Sequence, residues 1–426
     1  MRYFHAFNDR RIRLMLKSIA VRCLRVCLLI ESLSLGAVQL SQATDWPMWR
    51  YDANRSAASP ETLPDRLQLQ WTLQFSQREQ VWDDPLNHDL MPYDRLLEPI
   101  VMGGRMFVAF NDTDKIVAFD TRDGSELWRF YTDGPVRLPP VGVGAKVYAT
   151  SDDGFLYCLD AATGKLVWKF RGGPSARKVL GNKRVISAWP ARGGPVIRDG
   201  LIYFAASIWP FMGTFIYALD AETGKVRWAN DSTGAQYIKQ PHSAPSFAGV
   251  APQGAFVATA DYLLIPGGRS VPAAFDRKTG ALRHFEINAG GKGVGGSVVL
   301  ANESEFFVHT RYRGVRSFDL ATGKKGSFTC NEPVLTDEFI YAAGVGKGGQ
   351  PRIQAFTSAK KPAWEIAADG GGDLLKAGDR LYAAGTNSIQ AIDLPKGKNA
   401  ARIAWSLPVS GEVQRLLAAN GRLFAV

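Results

Sequence analysis

Aromatic and arginine side chains in loop-like insertions are the residues of this chain whose types suit ligand binding. Aromatic rings stack on flat ligands, and an arginine guanidinium binds carboxylate and carbonyl oxygens. The structural alternative is that the tryptophans fill gaps between packed units and that the arginines extend toward water. The candidate ligand-binding residues are Trp189 and Arg192 in segment 172–195, Trp209 in segment 207–213, His242 in segment 241–254 and Arg269 in segment 266–273.

Sequence motifs of the common catalytic chemistries are absent. The chain has no H-E-x-x-H zinc motif, no G-x-S-x-G nucleophile motif and no G-x-x-x-x-G-K-[ST] phosphate loop. Its five histidines leave little for a metal cluster. The sequence therefore predicts no catalytic residue and no metal site.

The charge pattern does not indicate a nucleic-acid partner. The formal net charge is +11, but the first 43 residues carry seven basic and two acidic residues, which leaves about +6 on the remainder. That remainder has no basic run and no basic stripe interleaved with aromatic residues, the patterns typical of nucleic-acid binders. We expect no nucleic-acid binding.

A repeated turn positions the candidate loops. In each copy an aspartate precedes a glycine by four residues, between two short apolar runs, as in IYALDAETGKVRW at 216–228. This pattern predicts a β-hairpin in which the glycine adopts the positive φ that closes the turn. In three copies a tryptophan eight residues past the aspartate is interpreted as packing against the neighbouring unit. The repeat residues are Asp120, Gly124 and Trp128; Asp160, Gly164 and Trp168; Asp220, Gly224 and Trp228; and Asp276 and Gly280.

Each hairpin follows another pair of candidate strands, such as GAKVYAT at 144–150 and DGLIYFAAS at 199–207. Four strands in roughly 40 residues is the size of one propeller blade. The repeat aspartates 120 and 160 have this spacing, whereas 160, 220 and 276 are further apart because the insertions interrupt those units. The sequence thus predicts an all-β propeller, with the insertions among the loops that surround its channel.

The chain resembles the pyrroloquinoline-quinone (PQQ)-type repeat family, which includes quinoprotein alcohol dehydrogenases and the outer-membrane assembly propeller lipoprotein. The motif that carries the resemblance is A-x-D-x-x-T-G-K-x-x-W at 218–228. The resemblance covers essentially everything after residue 44 and implies an eight-bladed β-propeller of PQQ-like repeats. The entry segment 45–71 also matches the family's opening, with Trp46, Asp52, Arg55, Ser59, Pro60 and Trp71 in the expected order.

Counting blades within this resemblance predicts an incomplete eighth blade. Segment 67–75 carries a tryptophan like the last strand of a blade, and segment 416–426 matches the opening of a blade and then stops. We therefore expect the N-terminal arm 44–98 to supply the outer strand, at 67–75, of a blade whose middle is missing, closing a propeller formed by 99–426. The missing strands would come from a longer reading frame, or from another segment or chain.

Residues 1–43 predict a secretory signal peptide. A basic stretch precedes the apolar run 26–40 and the small residues at 41–43, which favours cleavage after Ala43. The alternatives are a retained membrane anchor and a start at Met15. We expect an exported protein, periplasmic or extracellular, and a monomer.

Two classes of function remain open. The resemblance to quinoprotein dehydrogenases makes PQQ and Ca²⁺ conceivable, but the family's adjacent cysteine pair and its C-x-x-C-H haem motif are absent. We therefore favour a noncatalytic binding or scaffold module, without a cofactor, that takes a protein, a peptide or a small molecule at the channel mouth. The alternatives are a quinone-dependent oxidoreductase with a divergent site and the N-terminal propeller of a larger multidomain protein.

Overall fold

Eight four-stranded units of β-sheet make up the fold. The computed structural model describes residues 2–8, 44–75, 94–181, 184–239, 243–267, 270–285, 294–310, 315–346 and 348–426. Within these ranges the sheets form the eight blades of a β-propeller, which confirms the predicted fold. No helix in the described ranges is long and apolar enough to cross a lipid bilayer.

The repeat turn builds the outer hairpin of a blade through short local hydrogen bonds. In blade 3 the Asp220 carboxylate accepts hydrogen bonds from the Thr223 backbone N–H at 2.9 Å and from its hydroxyl at 2.8 Å. Gly224 has a φ of 70° and donates its N–H to the Asp220 carbonyl oxygen at 2.8 Å. The aspartate and threonine thus satisfy the turn, and glycine closes it in the left-handed region.

Blades 1 to 7 are formed by consecutive stretches of chain, from the innermost strand outward. In blade 7 one continuous run pairs through its first half with the inner strand and through its second half with the outer strand. The strands are Ile100–Met102, Arg105–Phe110, Lys115–Asp120 and Glu126–Tyr131 in blade 1; Val141–Val143, Lys146–Thr150, Phe155–Asp160 and Leu166–Arg171 in blade 2; Gly193–Arg198, Leu201–Ala206, Phe215–Asp220 and Val226–Asn230 in blade 3; Val257–Ala258, Tyr262–Gly267, Ser270–Asp276 and Leu282–His284 in blade 4; Val294–Ala301, Glu305–Thr310, Val315–Asp319 and Lys325–Cys330 in blade 5; Val334–Leu335, Phe339–Val345, Pro351–Thr357 and Pro362–Ile366 in blade 6; and Asp373–Ala377, Arg380–Asp393 and Arg402–Glu412 in blade 7.

Blade 8 joins the two ends of the chain. Its strands, from the inside outward, are Leu416–Ala419, Arg422–Ala425, Arg2–Asn8 and Gln68–Phe75. The outer strand lies where the sequence predicts it, but the expectation of a missing middle is wrong for this structure. Residues 2–8 fill the gap because they pair with both exposed edges, and Phe4 and Ala6 point into the core.

Residues 2–8 also bear on the predicted signal peptide, because that segment includes them. Residues 9–43 lie outside the described residues, so the proposed cleavage after Ala43 stays a prediction. Cleavage there would remove the third strand of blade 8.

Three smaller elements lie outside the blades. Two separate hairpins form in the insertions, and a short 3-10 turn lies between them in the chain. These elements are the hairpin Lys178–Gly181 with Arg184–Ser187, the 3-10 turn Pro210–Met212, and the hairpin Gln236–Lys239 with Pro245–Ala248.

Candidate functional site

The strand order gives the two ends of the propeller different loops. Because successive strands of a blade are antiparallel, the loops that join one blade to the next lie at the same end as the loops between second and third strands. We call this end the mouth end. The short turns between first and second strands and the repeat turns lie at the opposite end, the turn end.

Residues 44–63 of the N-terminal arm cross the channel at the turn end and bond to the innermost strands around the ring. Trp46 exchanges backbone hydrogen bonds with Val101 of blade 1, and Ala58–Ser59 pairs in parallel with the inner strand of blade 7. Other carbonyl oxygens of the arm accept backbone N–H groups of the inner strands or turns at Gly142, Ala258, Ala301, Leu335, Lys376, Gly378 and Asn420. The arm therefore closes one end of the channel.

Arg55 fixes this arm to the blades from inside. Its side chain has no solvent exposure, and its guanidinium donates to the carbonyl oxygens of Phe256 at 3.0 Å and Pro195 at 3.1 Å. It also donates to the Trp49 carbonyl oxygen at 3.2 Å within the arm. Burial lowers the pKa of Arg55 to about 9, while Asp52 opposes that shift.

A cavity of about 430 Å³ opens at the mouth end. Its volume is that of a site for a small molecule or a short peptide segment. Most of the lining comes from the loops before the inner strands of blades 1, 6, 7 and 8, and it combines charged and polar side chains with apolar ones. The lining includes Arg95, His309, Glu332, Gly370–Asp373, Ser410–Glu412 and Arg415.

A cluster of buried charges lies between this cavity and the arm. Arg415 Nε contacts both carboxylate oxygens of Glu98, at 2.8 and 3.0 Å. Arg50, which belongs to the arm, lies 3.3 Å from a carboxylate oxygen of Glu332 and 3.6 Å from one of Asp373. The first pair joins blade 8 to the loop before blade 1, and the contacts of Arg50 tie the arm to blades 6 and 7.

His309 and the backbone complete the pairing of the cluster. The Nε2 atom of His309 lies 2.7 Å from Glu332 Oε1. The Asp373 carboxylate accepts the Leu416 N–H at 2.8 Å and the Leu374 N–H at 2.9 Å. The carboxylates of this cluster are thus already occupied by partners of the same chain.

The cluster holds three carboxyl groups but only two guanidinium groups, so one carboxyl is short of a cation. Burial raises the pKa of Glu98 to about 7, with Arg415 opposing it, and burial also raises the pKa of Asp373. For Glu332, burial by itself would raise the pKa, but Arg415, His309 and Arg50 outweigh it and lower that pKa. Glu332 is therefore the charged member, and a proton is retained more readily on Glu98 or Asp373.

A second buried network lies at the mouth end of blades 1 to 3. Arg137 pairs with Asp94 and, at 2.6 Å, with Asp152, whose two carboxylate oxygens also accept bonds from Arg192 at 2.7 Å each. Burial by itself would raise the pKa of Asp152, but Arg192 and Arg137 outweigh it and lower that pKa. Positive and negative groups alternate along this chain, which joins the loops of three successive blades.

None of the three candidate residues that the structure describes, Trp189, Arg192 and Trp209, lines the mouth cavity. Arg192 is buried in the network just described, and Trp189 is buried with its indole N–H donating to the Met212 carbonyl oxygen at 2.8 Å. Both side chains therefore lie in packed positions, as in the structural alternative, and neither contacts the cavity. Trp209 is half-buried beside the first hairpin, and His242 and Arg269 lie outside the described residues.

Sequence reasoning missed the charged cavity cluster, although the sequence contains a signal for it. In four units a charged residue stands one or two positions before an apolar pair of an inner strand. These residues are Glu98, Glu332, Asp373 and Arg415. Inner strands surround the channel in a propeller, so charges at this position of several blades converge.

The lining residues do not fit PQQ with Ca²⁺. PQQ is a flat aromatic tricarboxylate, but the described lining of the cavity offers no Phe, Tyr or Trp ring for stacking and brings Glu332, Asp373 and Glu412 against a polyanion. Among the described residues, no group of three or more His, Cys, Asp or Glu side chains is placed to hold a metal ion. We therefore derive no chemistry through the quinone.

Curated relatives match parts of the chain. The dehydrogenase subunit of the quinone alcohol dehydrogenase of Gluconobacter oxydans (strain 621H) is 32% identical over 142 residues, which is 30% of this chain and 18% of the relative. A polyvinylalcohol dehydrogenase of Pseudomonas sp is 26% identical over 246 residues, or 48% of this chain and 33% of the relative. The chain thus spans no more than a third of the length of these relatives.

Solved structures share the fold. The crystal structure of quinohemoprotein alcohol dehydrogenase from Comamonas testosteroni has a TM-score of 0.54 at 15% identity, over 89% of this chain and 76% of that one. The quinohemoprotein alcohol dehydrogenase ADHIIG from Pseudomonas putida HK5 has a TM-score of 0.53 at 14% identity, over 87% and 73%. At these identities the likeness extends to the propeller alone.

A family model matches most of the propeller. It is the model of the PQQ repeats described as outer membrane protein assembly factor BamB, and it aligns with residues 38–325. This match agrees with the eight blades, the repeat turns and the entry segment described above. The chain therefore belongs to the PQQ-repeat propeller family described as outer membrane protein assembly factor BamB.

Proposed function

We propose that this chain is a noncatalytic binding module that takes an extended, polar peptide segment of a protein partner in its mouth cavity. The observation that carries the proposal is the pairing of the cavity charges. Arg415 is engaged by Glu98, Arg50 lies beside Glu332 and Asp373, and His309 contacts Glu332. A general base or nucleophile must be able to exchange its hydrogen-bond partners during the reaction. The charged groups of this cluster instead hold one another in place and make the site rigid.

The lining of the cavity suits a peptide. Arg95 and Glu412 bring opposite charges to its wall, and the glycine-containing segments Gly370–Gly372 and Ser410–Gly411 line the opening. Peptide main chains carry both donors and acceptors, and their side chains and termini carry either charge. The arm closes the other end of the channel, so a ligand enters from the mouth end.

The family supports a scaffold role for an exported protein. The matching family model is described as an outer membrane assembly factor. The sequence prediction of a secretory signal in residues 1–43 agrees with a periplasmic location. We therefore place the proposed partner among exported or outer-membrane proteins.

Site-specific photo-cross-linking in cells tests the proposal. A photo-reactive amino acid replaces Ser410, which is exposed on the cavity wall, and the matched control replaces Asp379, which is exposed at the turn end. We expect Ser410 to yield a discrete protein adduct that mass spectrometry identifies and that is absent for Asp379. A Glu412→Arg substitution should weaken the adduct. The same adducts from both positions, or none from Ser410, would contradict a peptide site at the mouth.

The alternative function is a quinone-dependent oxidoreductase with a divergent site. The observation in its favour is that the curated relatives quoted above are quinone-type alcohol and polyvinylalcohol dehydrogenases. Purified protein is mixed with PQQ and Ca²⁺, and absorbance and dye reduction with alcohols and sugars are recorded. We expect neither stoichiometric binding nor turnover, and turnover would establish the alternative.

A further inference from the structure

The three most exposed large apolar side chains of the described residues lie in the insertions. They are Leu180 at 85%, Phe211 at 78% and Phe247 at 73% relative exposure. Exposing large apolar side chains to water costs free energy, and a partner surface that covers them removes that cost. The mouth cavity does not use them, because none lines it.

Each insertion hairpin carries an apolar cross-strand pair on its outer face. Leu180 pairs with Val185 in the first hairpin, and Tyr237 pairs with Phe247 in the second, with ring centroids 5.2 Å apart. All four side chains are exposed. On the other face of the first hairpin, Val179 packs against the buried cluster of Trp189. One face of this hairpin thus holds it to the blade, and the apolar pair points outward.

The two hairpins and the 3-10 turn form one surface. The ring of Trp209 lies beside Gly181 of the first hairpin, and the strand Pro245–Ala248 of the second hairpin contacts the turn Pro210–Met212. Trp189 holds the same turn through its bond to Met212. Phe211 therefore belongs to a turn that lies against both hairpins. We call Leu180, Val185, Phe211, Tyr237 and Phe247, with their supporting elements, the hairpin surface.

The hairpins and the 3-10 turn themselves carry basic residues and no acidic ones, and Arg184 of the first hairpin is paired with Asp114 of blade 1. Segments 172–192, 207–214 and 232–256 contain no aspartate or glutamate, and of their basic residues Arg192 is buried against Asp152. Arg177, Lys178 and Lys239 are exposed on the hairpins themselves. A positive, aromatic and aliphatic surface is complementary to an anionic one that can also accept apolar groups.

We propose that the hairpin surface docks the propeller on an anionic lipid bilayer. Aromatic and aliphatic side chains enter the interface between headgroups and acyl chains, and Lys and Arg beside them bind the anionic headgroups. Lysine is depleted from protein interfaces, so lysines beside exposed apolar pairs favour a lipid surface over a protein. Both hairpins belong to loops at the mouth end, so docking turns the mouth cavity toward the membrane.

Co-sedimentation of the full chain with lipid vesicles tests this proposal. The probes are vesicles of phosphatidylcholine alone and vesicles containing about one third phosphatidylglycerol. We expect binding to the anionic vesicles, at least about tenfold weaker binding to the neutral ones, and a loss of binding as the salt concentration rises.

Variants locate the contact. We expect Leu180→Ser with Phe247→Ser, and separately Lys178→Glu, to weaken binding to anionic vesicles by at least about fivefold without changing the thermal transition. The matched controls are Leu166→Ser, on the outer strand of blade 2, and Lys165→Glu, in a repeat turn at the turn end. Both control positions are exposed, and both controls should bind like the unchanged chain.

Three results would overturn the proposal. They are an absence of vesicle binding, equal binding to neutral and anionic vesicles, and full binding by the hairpin variants. If the hairpin surface instead cross-links to a protein while vesicles do not bind, the surface is a protein interface. The proposal does not rest on a peptide ligand, since Ser410 cross-linking reports on the cavity and vesicle binding reports on the hairpins.

Discussion

At the scale of single residues, each repeat tryptophan connects two blades. Trp128 of blade 1 lies over Gly164 of blade 2, and its indole N–H donates to the Ala161 carbonyl oxygen of that turn at 3.1 Å. Trp71, Trp168 and Trp228 make the same contact to the next repeat turn, as does the His284 ring to the Leu320 carbonyl oxygen. The repeat position therefore requires glycine for two reasons. It adopts a positive φ, and it has no Cβ where the ring of the preceding blade packs.

Substitution of a repeat glycine should be far more costly than substitution of a glycine in an open turn. Gly164 has a φ of +71°, and an added Cβ would lie 2.6 Å from the Trp128 ring. We expect Gly164→Ala to lower the free energy of unfolding by about 2–4 kcal/mol. Gly144, with a φ of +58° and nothing within 4 Å, is the control, and Gly144→Ala should cost about 1 kcal/mol. Equal urea midpoints for the two variants would refute this role of the ring.

The excess carboxyl in the cavity cluster predicts a pH dependence. Burial raises the pKa of Glu98 from 4.5 to about 7, so the folded chain keeps a proton that the unfolded chain releases. This contribution to stability is complete below about pH 4.5 and is lost as the pH rises through about 7. We expect Glu98→Gln, which stays neutral, to reduce the fall of the urea midpoint between about pH 5 and 8. An unchanged slope would show that Glu98 is charged throughout.

At the scale of elements, the arm 44–63 is the part of the chain that contacts the most blades. Its backbone carbonyl oxygens accept hydrogen bonds from inner strands around the ring, and the guanidinium groups of Arg50 and Arg55 donate to backbone carbonyl oxygens of the blades. Arg55 is fully buried, and its guanidinium donates hydrogen bonds to carbonyl oxygens of both blade 3 and blade 4.

Loss of the Arg55 side chain should be strongly destabilising. Arg55→Ala leaves the carbonyl oxygens of Phe256, Pro195 and Trp49 without their donor and opens a cavity, so we expect a loss of about 3–5 kcal/mol in the free energy of unfolding. Arg66→Ala, at an exposed position three residues past the arm, should change it by less than about 0.5 kcal/mol. Chemical denaturation measures the free energy of unfolding of both variants. Similar losses in the two variants would show that Arg55 does not hold the arm to the blades.

The strand Arg2–Asn8 makes a prediction that also tests the signal peptide. Phe4 is fully buried and its ring lies 5.3 Å from that of Phe75, so Phe4→Ala in the unprocessed chain should cost about 3–5 kcal/mol. Gln74→Ala, at an exposed position of the neighbouring strand, should have little effect. The mass of the purified protein shows whether residues 1–43 are present. A full-length protein that tolerates Phe4→Ala would exclude this strand from blade 8.

At the scale of the whole molecule, the arm links blades that do not touch one another. Ala53 bonds to blade 4 and Ala57 bonds to blade 7, with Arg55 between them in the chain. In Arg55→Ala we therefore expect faster amide exchange of the inner strands of blades 3, 4 and 7 together, measured by hydrogen–deuterium exchange. Faster exchange in blades 3 and 4 alone would show that the arm does not couple the ring.

The two ends of the propeller differ in their loops and in the features that lie there. The arm closes the turn end, whereas the cavity and the hairpin surface both lie at the mouth end. The sequence prediction that the insertions surround one end of the channel agrees with their places in the strand order. The predicted ligand residues Trp189 and Arg192 support that end from inside, because their side chains are buried rather than presented to solvent.

Features built from residues close together in the sequence could be predicted from it, whereas contacts between residues far apart in the sequence could not. The Asp160–Gly164 turn and Trp168 recur at a regular spacing, so pattern alone indicated hairpins and blades, and counting blades within the family resemblance predicted the outer strand at 67–75. Glu98 and Arg415 are 317 residues apart, and each looks like an ordinary charged residue before a strand. Only the closure of the ring makes them neighbours.

By itself the sequence determined the repeat, the propeller and the location of the insertions, because these depend on local turn chemistry and on strand length, whereas the resemblance to the PQQ-repeat family implied the number of blades. The tertiary structure decided which charges meet in the mouth cavity, that Arg2–Asn8 completes blade 8, and that Trp189 and Arg192 face inward. These outcomes depend on which strand edges and side chains closure brings together. Burial then selects the paired arrangement, since an unpaired strand edge or a lone buried charge costs several kcal/mol.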